Sequence, residues 1–337
     1  PKPKPGQLIL EVERTNICGT ELHFWRGDIP VTGVPGHELV GRVVAAGEGV
    51  KEDSGGKPVK PGDRVAPVYF TPCRECVQCR AGQQNACTRI ENHFLGFPES
   101  GLESCGSFAT HYVMIPGQPF YKVPRHIPSR IASSANCALS QVYFGLDQVG
   151  LRRGETVYIQ GAGGLGIHAT ALAKERGARV VIADGVASRL EAARNFGADE
   201  VVDIRRHDTS EKRLDELSRL TDSQGADVVV GLVGYPDVFK ESIMCARPGG
   251  RILEMGTVAP GSLAEIDVGF LVIKNIRIAF VLYYNPEYLE KALRFLSKNV
   301  NKYPYDQIAD QEFALSEIAL ALERTDKREL NRATLVP

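Results

Sequence analysis

Two periodicities divide this chain. From residue 7 to residue 124, apolar positions come in short runs broken by Gly and Pro: QLILEVER (7–14), ELVGRVVAAG (38–47), DRVAPVYF (63–70), FATHYVMI (108–115) and FYKVP (120–124). Short strands with turn residues between them predict a barrel-like β domain. KEDSGGKP (51–58) reads as a polar, flexible loop. Beyond Leu146, strand-length apolar runs alternate with helix-length amphipathic ones. The strands are ETVYIQ (155–160), RVVIAD (179–184), EVVDI (200–204), ADVVVGLVG (226–234) and GRILEMG (250–256). The helices are LGIHATALAKERGA (165–178), ending at Gly177, and ASRLEAARNFGA (187–198). That alternation predicts βαβ units, a parallel sheet and ligands at the carboxyl ends of its strands. Two tail helices carry apolar stripes at i, i+3, i+4, i+7: Leu289, Ala292, Leu293, Leu296, then Leu315, Ile318, Ala319, Leu322.

A length of 337 residues suits two domains rather than one core. Forty basic residues against 41 acidic ones leave a net charge of −1, which removes the electrostatic case for nucleic acid or an anionic membrane as partner. The most apolar stretch, 269–284, is interrupted by Lys274, Asn275 and Arg277, so no segment reads as spanning a membrane. The start, PKPKPGQ, has no apolar core of a secretory signal, and the expected location is the cytoplasm. The sequence opens on Pro1 rather than Met, which leaves open an N-terminal piece beyond it.

Eight cysteines without a secretory signal point to metal or redox work rather than disulfides. Cys73, Cys76, Cys79 and Cys87 present four thiolates from one short loop, the donor set of a tetrahedral zinc. Four protein ligands leave no open position, so this zinc is expected to be structural. A zinc module for nucleic acid would need the basic charge that is missing here. Cys18 and His37 can also bind zinc jointly, but two such residues are more often packed structural ones.

Gly161, Gly163 and Gly166 stand in GAGGLG, directly after a strand and opening a helix, with Gly164 and Leu165 completing the turn. The glycines allow a tight turn and close approach of a pyrophosphate, and the helix N-terminus supplies free N–H groups. Asp184 ends the next strand, where a carboxylate accepts hydrogen bonds from the ribose hydroxyls and repels a 2′-phosphate. NAD is therefore expected rather than NADP.

Taken together, the Cys18-Gly-Thr segment, Gly36-His37-Glu38, the cysteine tetrad and GAGGLG resemble the zinc-dependent medium-chain dehydrogenase/reductases, the alcohol dehydrogenase family. The resemblance covers nearly the whole chain. It implies a GroES-like β-barrel catalytic domain (1–140) with a structural-zinc lobe (73–87). A Rossmann-type, doubly wound coenzyme domain (141–283) follows, and a return segment (284–337) completes the first. Its catalytic zinc would take Cys18, His37 and Cys137, with Glu38 as an alternate ligand, making two zinc ions per chain. Three protein ligands leave a fourth position for a water or substrate oxygen. Thr20 matches the hydroxyl that touches the substrate oxygen, and His23 the relay that passes its proton to solvent. For the coenzyme, Arg189 matches a base beside the adenosine ribose, Gly256-Thr257 and Ala279-Phe280 the segments that hold the nicotinamide, and Arg332 a pyrophosphate-binding arginine. Glu21 departs from the family, where Asp commonly supports the zinc histidine, and relatives usually carry a longer segment before the Cys-Gly-Thr motif, supplying the first barrel strands. Cys105, Cys245 and the histidines at 93, 111, 126, 168 and 207 receive no role beyond structure.

The expected reaction is hydride transfer between a small-molecule alcohol, secondary or cyclic and apolar, and NAD. Trp25, Tyr69 and Phe70 are candidate pocket walls, though core aromatics are the commoner fate of such residues. Reduction of a C=C bond, or a redox-neutral step with recycled hydride, is the alternative on the same scaffold; a non-catalytic binding protein stands further back. The family forms homodimers or homotetramers, and IRIAFVL (276–282) is a candidate sheet edge for such an assembly.

Overall fold

A computed structural model describes residues 2–30, 33–92, 106–256 and 261–337. The chain divides into two compact units, Pro1–Ser140 with Tyr283–Pro337, and Gln141–Leu282.

In the first unit the strand Leu8–Asn16 is the hub of a seven-stranded sheet. It runs antiparallel to Glu38–Ala46, and its other edge is shared by His111–Met114 and Ala333–Val336. Through Glu38–Ala46 the sheet continues to Arg64–Pro67 and Phe120–Lys122. At its far end Gln311–Ala314 lies parallel to Ala333–Val336. Alternation sends Leu8, Leu10 and Val12 inward against Leu39, Val43, Val65 and Tyr112. Register then has a chemical consequence. Asn16 faces Glu38, so the chain leaving one strand at Cys18 and the chain entering the other at His37 meet at the same end of the sheet.

Two expectations need correction here. The 51–58 loop is fastened rather than free: buried Asp53 accepts the N–H groups of Gly55, Lys57 and Lys122, each at 2.9 Å. An Asp side chain that satisfies three backbone donors turns a polar loop into a fixed one. The second tail helix begins as a 3₁₀ turn at Leu315–Glu317 and continues as Ile318–Asp326. The change of pitch rotates Ala319 to solvent and turns Ala321 and Thr325 inward. In the first tail helix, Glu287–Asn299, all four expected residues are buried.

The second unit is a six-stranded parallel sheet in the order 200–203, 179–184, 156–160, 226–231, 246–254, 277–280. Helices between the strands bury a core of Tyr158, Val181, Val229, Phe239, Ile243 and Ile252 with their neighbours. Thr156–Gln160 is the point from which the connections wind both ways, and the crevice at its carboxyl end is where this architecture takes a ligand. The GAGGLG turn follows immediately. Among the described residues no helix is long and apolar enough to cross a membrane.

Candidate active site and metal centres

Cys18 is the N-cap of the helix Gly19–Arg26, which ends at Gly27 in the left-handed region (φ 79°). Glu21, three residues into the helix, reaches back so that its Oε2 accepts the Cys18 N–H at 2.9 Å. Its other oxygen lies 2.7 Å from His37 Nδ1. A carboxylate only accepts, so the proton stays on Nδ1 and Nε2 is the nitrogen left for a metal. The glycine before His37 is required: Gly36 has φ +96°, and a Cβ there would sit 2.4 Å from the Phe108 ring. Cys137 arrives on a π-helical turn, Ala135–Leu139, which widens the helix where the thiol must face inward.

The three donors converge. Cys18 Sγ is 4.0 Å from Cys137 Sγ, and His37 Nε2 is 3.3 Å from Cys137 Sγ. A tetrahedral zinc would set neighbouring sulfurs about 3.8 Å apart and a sulfur and an imidazole nitrogen about 3.6 Å apart. One carboxylate oxygen of Glu38 joins them, all four ligand atoms lying within 4.8 Å of one another and all four residues buried. Glu38 is ion-paired to buried Arg332, 294 residues away, and Asn16 Nδ2 donates to the same oxygen at 3.4 Å. The other oxygen, Oε1, is buried and has no hydrogen-bond partner among the described residues. Orphaned buried oxygen is costly and fits an absent cation. The hydrogen bond from Cys137 holds the Cys18 thiol well below its ordinary range against the opposing effect of burial. Cys137 is pushed up by that same contact and by burial. Burial pulls His37 down, but the Glu21 carboxylate and the Cys18 sulfur more than reverse it. Two thiols this close cannot both ionise without a cation, and the donor set fits a divalent metal.

The tetrad forms the second centre. Cys73 Sγ is 3.9 Å from Cys79 Sγ and 3.4 Å from Cys87 Sγ, with Cys76 and Cys87 3.9 Å apart. Backbone N–H groups of Cys73, Cys76, Cys79 and Arg89 point at these sulfurs at 3.3–3.4 Å. Donors of that kind favour thiolates, and those from Cys79 and Thr88 bring Cys76 down to about 5. The sulfur spacing and donor set fit a closed, four-thiolate zinc.

In the second unit Gly166 is needed for the close turn, since a Cβ there would lie 1.9 Å from the Gly161 carbonyl oxygen. At Gly163, the N-cap of Gly164–Glu175, an added Cβ would meet nothing within 4 Å, so the turn leaves open space above a helix N-terminus. Asp184, expected to meet the ribose, accepts the N–H of Ala162 and of Val186, both at 2.8 Å, and so braces the turn. Leu165 lies in the first turn of that helix, and Arg189 is half-buried on the next one, Ala187–Asn195. Gly256 follows the strand Ala246–Glu254, and its N–H donates to Glu254 at 3.0 Å. Ala279 is half-buried; Phe280 is exposed, its ring 5.5 Å from that of Phe239. Thr257, like His93 and Cys105, lies outside the described residues.

Other expected residues fall as follows. Thr20 Oγ1 is 4.0 Å from Cys18 Sγ. His23 is partly exposed, its Nδ1 3.0 Å from Asp28. Trp25 is 48% exposed, whereas Phe70 is fully buried against Tyr283 and Tyr284. Tyr69 stands over the cluster, its ring centroid 4.9 Å from that of His37. Sequence reasoning passed over Asn136, whose amide donates to the carbonyls of His37 at 2.7 Å and Pro67 at 2.8 Å. Its position next to Cys137 was the one available signal.

Residues 4–125 match the family model of the alcohol dehydrogenase GroES-like domain, and residues 164–298 that of the zinc-binding dehydrogenases. The chain is 30% identical over 330 residues to 5-exo-hydroxycamphor dehydrogenase of Pseudomonas putida, covering 95% of this chain and 89% of the relative. It is 36% identical over 289 residues to L-threonine 3-dehydrogenase of Aeromonas salmonicida, covering 82% and 78%. The crystal structure of an alcohol dehydrogenase from Thermotoga maritima superposes with a TM-score of 0.92 at 26% identity, covering 100% of this chain and 93% of that one. The fold and the centres together define a zinc-binding oxidoreductase, with a GroES-like domain and a Rossmann-type parallel sheet. The chain belongs to the zinc-dependent medium-chain alcohol dehydrogenase family.

Proposed function

We propose that this protein is a zinc- and NAD-dependent dehydrogenase that moves a hydride between a secondary alcohol, apolar or cyclic, and NAD, giving a ketone. The observation that carries the reading is the convergence of Cys18, His37 and Cys137 in a buried cluster that also holds an unpartnered Glu38 oxygen. Zinc held there would supply Lewis acidity, lowering the pKa of a substrate hydroxyl. A second zinc, in the tetrad, would be structural. Glu21 keeps His37 in the ligating tautomer, and Arg332 balances the Glu38 charge. Thr20 and His23 stand three residues apart on one helix, hence on one face. In this reading Thr20 Oγ1 accepts the substrate hydroxyl's proton while giving up its own, and the partly exposed His23 is the base that receives a proton from this relay and hands it to water. The 161–166 turn would hold the pyrophosphate and Asp184 the ribose; its carboxylate still has lone pairs beyond those its two backbone donors use.

Tyr69 beside His37 supports an apolar substrate, and the two relatives' names describe a hydroxylated ring compound and an alcohol at carbon 3 of an amino acid. Residues 1–140 with 284–337 form the catalytic domain of this reading and 141–283 the coenzyme domain. The edge strand Arg277–Phe280, with exposed Val268, Val272 and Ile273 on the preceding helix, supports pairing with a second copy in a homodimer or homotetramer. None of the seven described cysteines is in a disulfide, which supports a reducing cytoplasm.

The test is NADH formation by zinc-loaded protein across primary, secondary, cyclic and polyol alcohols, with NADPH followed in parallel. NADH formation with secondary or cyclic alcohols is expected. Preference for NADP would refute the role of Asp184. Silence across the panel from protein carrying both metals would refute the alcohol reading in favour of C=C reduction or a redox-neutral step.

A further inference from the structure

Where the chain returns to the first unit, three consecutive residues contact the surroundings of both candidate metal centres. Tyr283 OH donates to Asn92 Oδ1 at 2.8 Å, and Asn92 pairs with Phe70 in the small two-stranded sheet that opens and closes the cysteine lobe. Asn285 Nδ2 donates to the Gly82 carbonyl at 2.8 Å, and its Oδ1 accepts the Asn85 N–H at 3.1 Å. Gly82 and Asn85 lie on the loop that carries the chain from Cys79 to Cys87. The residue in the middle faces the other way. Tyr284 is fully buried, and its hydroxyl donates to the carbonyl of Asn136, the neighbour of Cys137. Asn136 in turn holds the His37 carbonyl. A stack of rings runs alongside: Tyr284 and Tyr283 lie 5.2 and 4.9 Å from Phe70, which lies 5.1 Å from Tyr69, which lies 4.9 Å from His37.

We infer that Tyr283–Tyr284–Asn285 is a strap through which the cysteine lobe, when it holds its metal, sets the positions of Cys137 and His37. The tetrad is then a positioning element for the buried centre as well as a local clamp. This rests on the proposed metal-binding role of both centres. The physical logic is that of supports behind metal ligands. Ligand geometry is held by hydrogen bonds one step back, and losing such a bond costs about 10- to 100-fold in metal affinity. A four-thiolate lobe has few apolar contacts of its own, so without its metal the 82–92 segment loses the shape that Asn285 and Tyr283 grip.

The experiment loads zinc in the tetrad and cobalt in the buried site, then records the cobalt ligand-field and sulfur-to-cobalt bands. Chelator competition gives the affinity of the cobalt site. Tyr284→Phe keeps the ring and loses the hydroxyl; Asn285→Ala frees the lobe loop; Cys76→Ser empties the lobe. Tyr284→Phe and Asn285→Ala are expected to keep the tetrad zinc and a native circular dichroism spectrum, while cobalt binds about tenfold more weakly with shifted bands. Cys76→Ser is expected to reproduce that shift in the otherwise native chain and to add little to it on the Asn285→Ala background. Native bands and affinity in both strap variants would overturn the inference, as would an undiminished effect of Cys76→Ser on that background. If Cys76→Ser does not fold, the two strap variants decide alone. Native protein that takes no cobalt at the buried site would refute the dehydrogenase reading, and the strap with it. Native protein that takes cobalt but ignores both substitutions refutes the strap only.

Discussion

Glu21→Gln is the substitution whose outcome follows most directly from the geometry. The two carboxylate oxygens serve two donors, His37 Nδ1–H at 2.7 Å and the Cys18 N–H at 2.9 Å, and the Glu21 side chain is 1% exposed. Gln has the same length but one acceptor. If its oxygen faces His37, its NH2 group meets the Cys18 N–H, donor against donor. If it turns over, the NH2 donates to Nδ1 and drives the imidazole proton onto Nε2, the atom that would bind the metal in the proposed reading. Either way one buried, charge-assisted bond becomes a mismatch, at a cost of about 1.5–3 kcal/mol. At about 1.4 kcal/mol per factor of ten, metal affinity at the buried site should fall about 10- to 100-fold. Chelator competition measures it directly, and kcat/KM with a secondary alcohol should fall in parallel at limiting zinc. Glu21→Asp restores both acceptors one methylene further back and is expected to lie between the two. A Glu21→Gln protein with native metal affinity would refute the reasoning, because no arrangement of the amide satisfies both donors.

Further outcomes are expected. Cys137→Ser should reduce zinc from two to one per chain by elemental analysis and abolish NADH formation, with unchanged circular dichroism. Asp184→Ala should raise the KM for NAD and narrow its advantage over NADP. It should also lower stability by about 1–3 kcal/mol, since the Ala162 and Val186 N–H groups lose their acceptor; coenzyme kinetics and urea unfolding check the two parts. Arg213→Met should destabilise by about 3–5 kcal/mol in urea, because it leaves the Glu241 carboxylate, 4% exposed, without its bidentate cation. Adding Glu241→Met should recover most of that loss.

The legible parts of the site were those written in local spacing. The tetrad, the glycine turn and the alternation of the second unit all lie within windows of tens of residues, where period and spacing carry the signal. The buried centre was harder. Cys18, His37 and Cys137 came from a family resemblance; what the chain itself supplies is a register, Asn16 opposite Glu38, that no local pattern reveals. Glu21 was read only as a departure from the family's Asp; with Cys18 at a helix N-cap, the extra methylene lets one carboxylate reach two donors. Arg332 was assigned to a pyrophosphate, and the structure records it paired with Glu38, a partnership across 294 residues. Phe70 was a candidate wall and is core, because Tyr283 and Tyr284 come back from the tail to cover it. Asn136 and the π-helical turn carry no composition signal, since both are solutions to packing rather than to local propensity.

The interrupted first unit has a consequence for how the chain matures in the cell. Its central strand, Leu8–Asn16, waits for Ala333–Val336, and Glu38 waits for Arg332, while the whole second unit is translated in between. Domains emerging from a ribosome fold largely in order of synthesis. Here the second unit can finish while the first is still half-built, with Cys18, His37 and Cys137 already made. The buried centre therefore reaches its final electrostatic surroundings only once Arg332 and the strand Ala333–Val336 have been made, so in the proposed reading its zinc would be fully enclosed only after the second unit is translated. The cysteine lobe, encoded within residues 73–87, is under no such delay, and in the proposed reading it would be able to take its ion before the second unit is made.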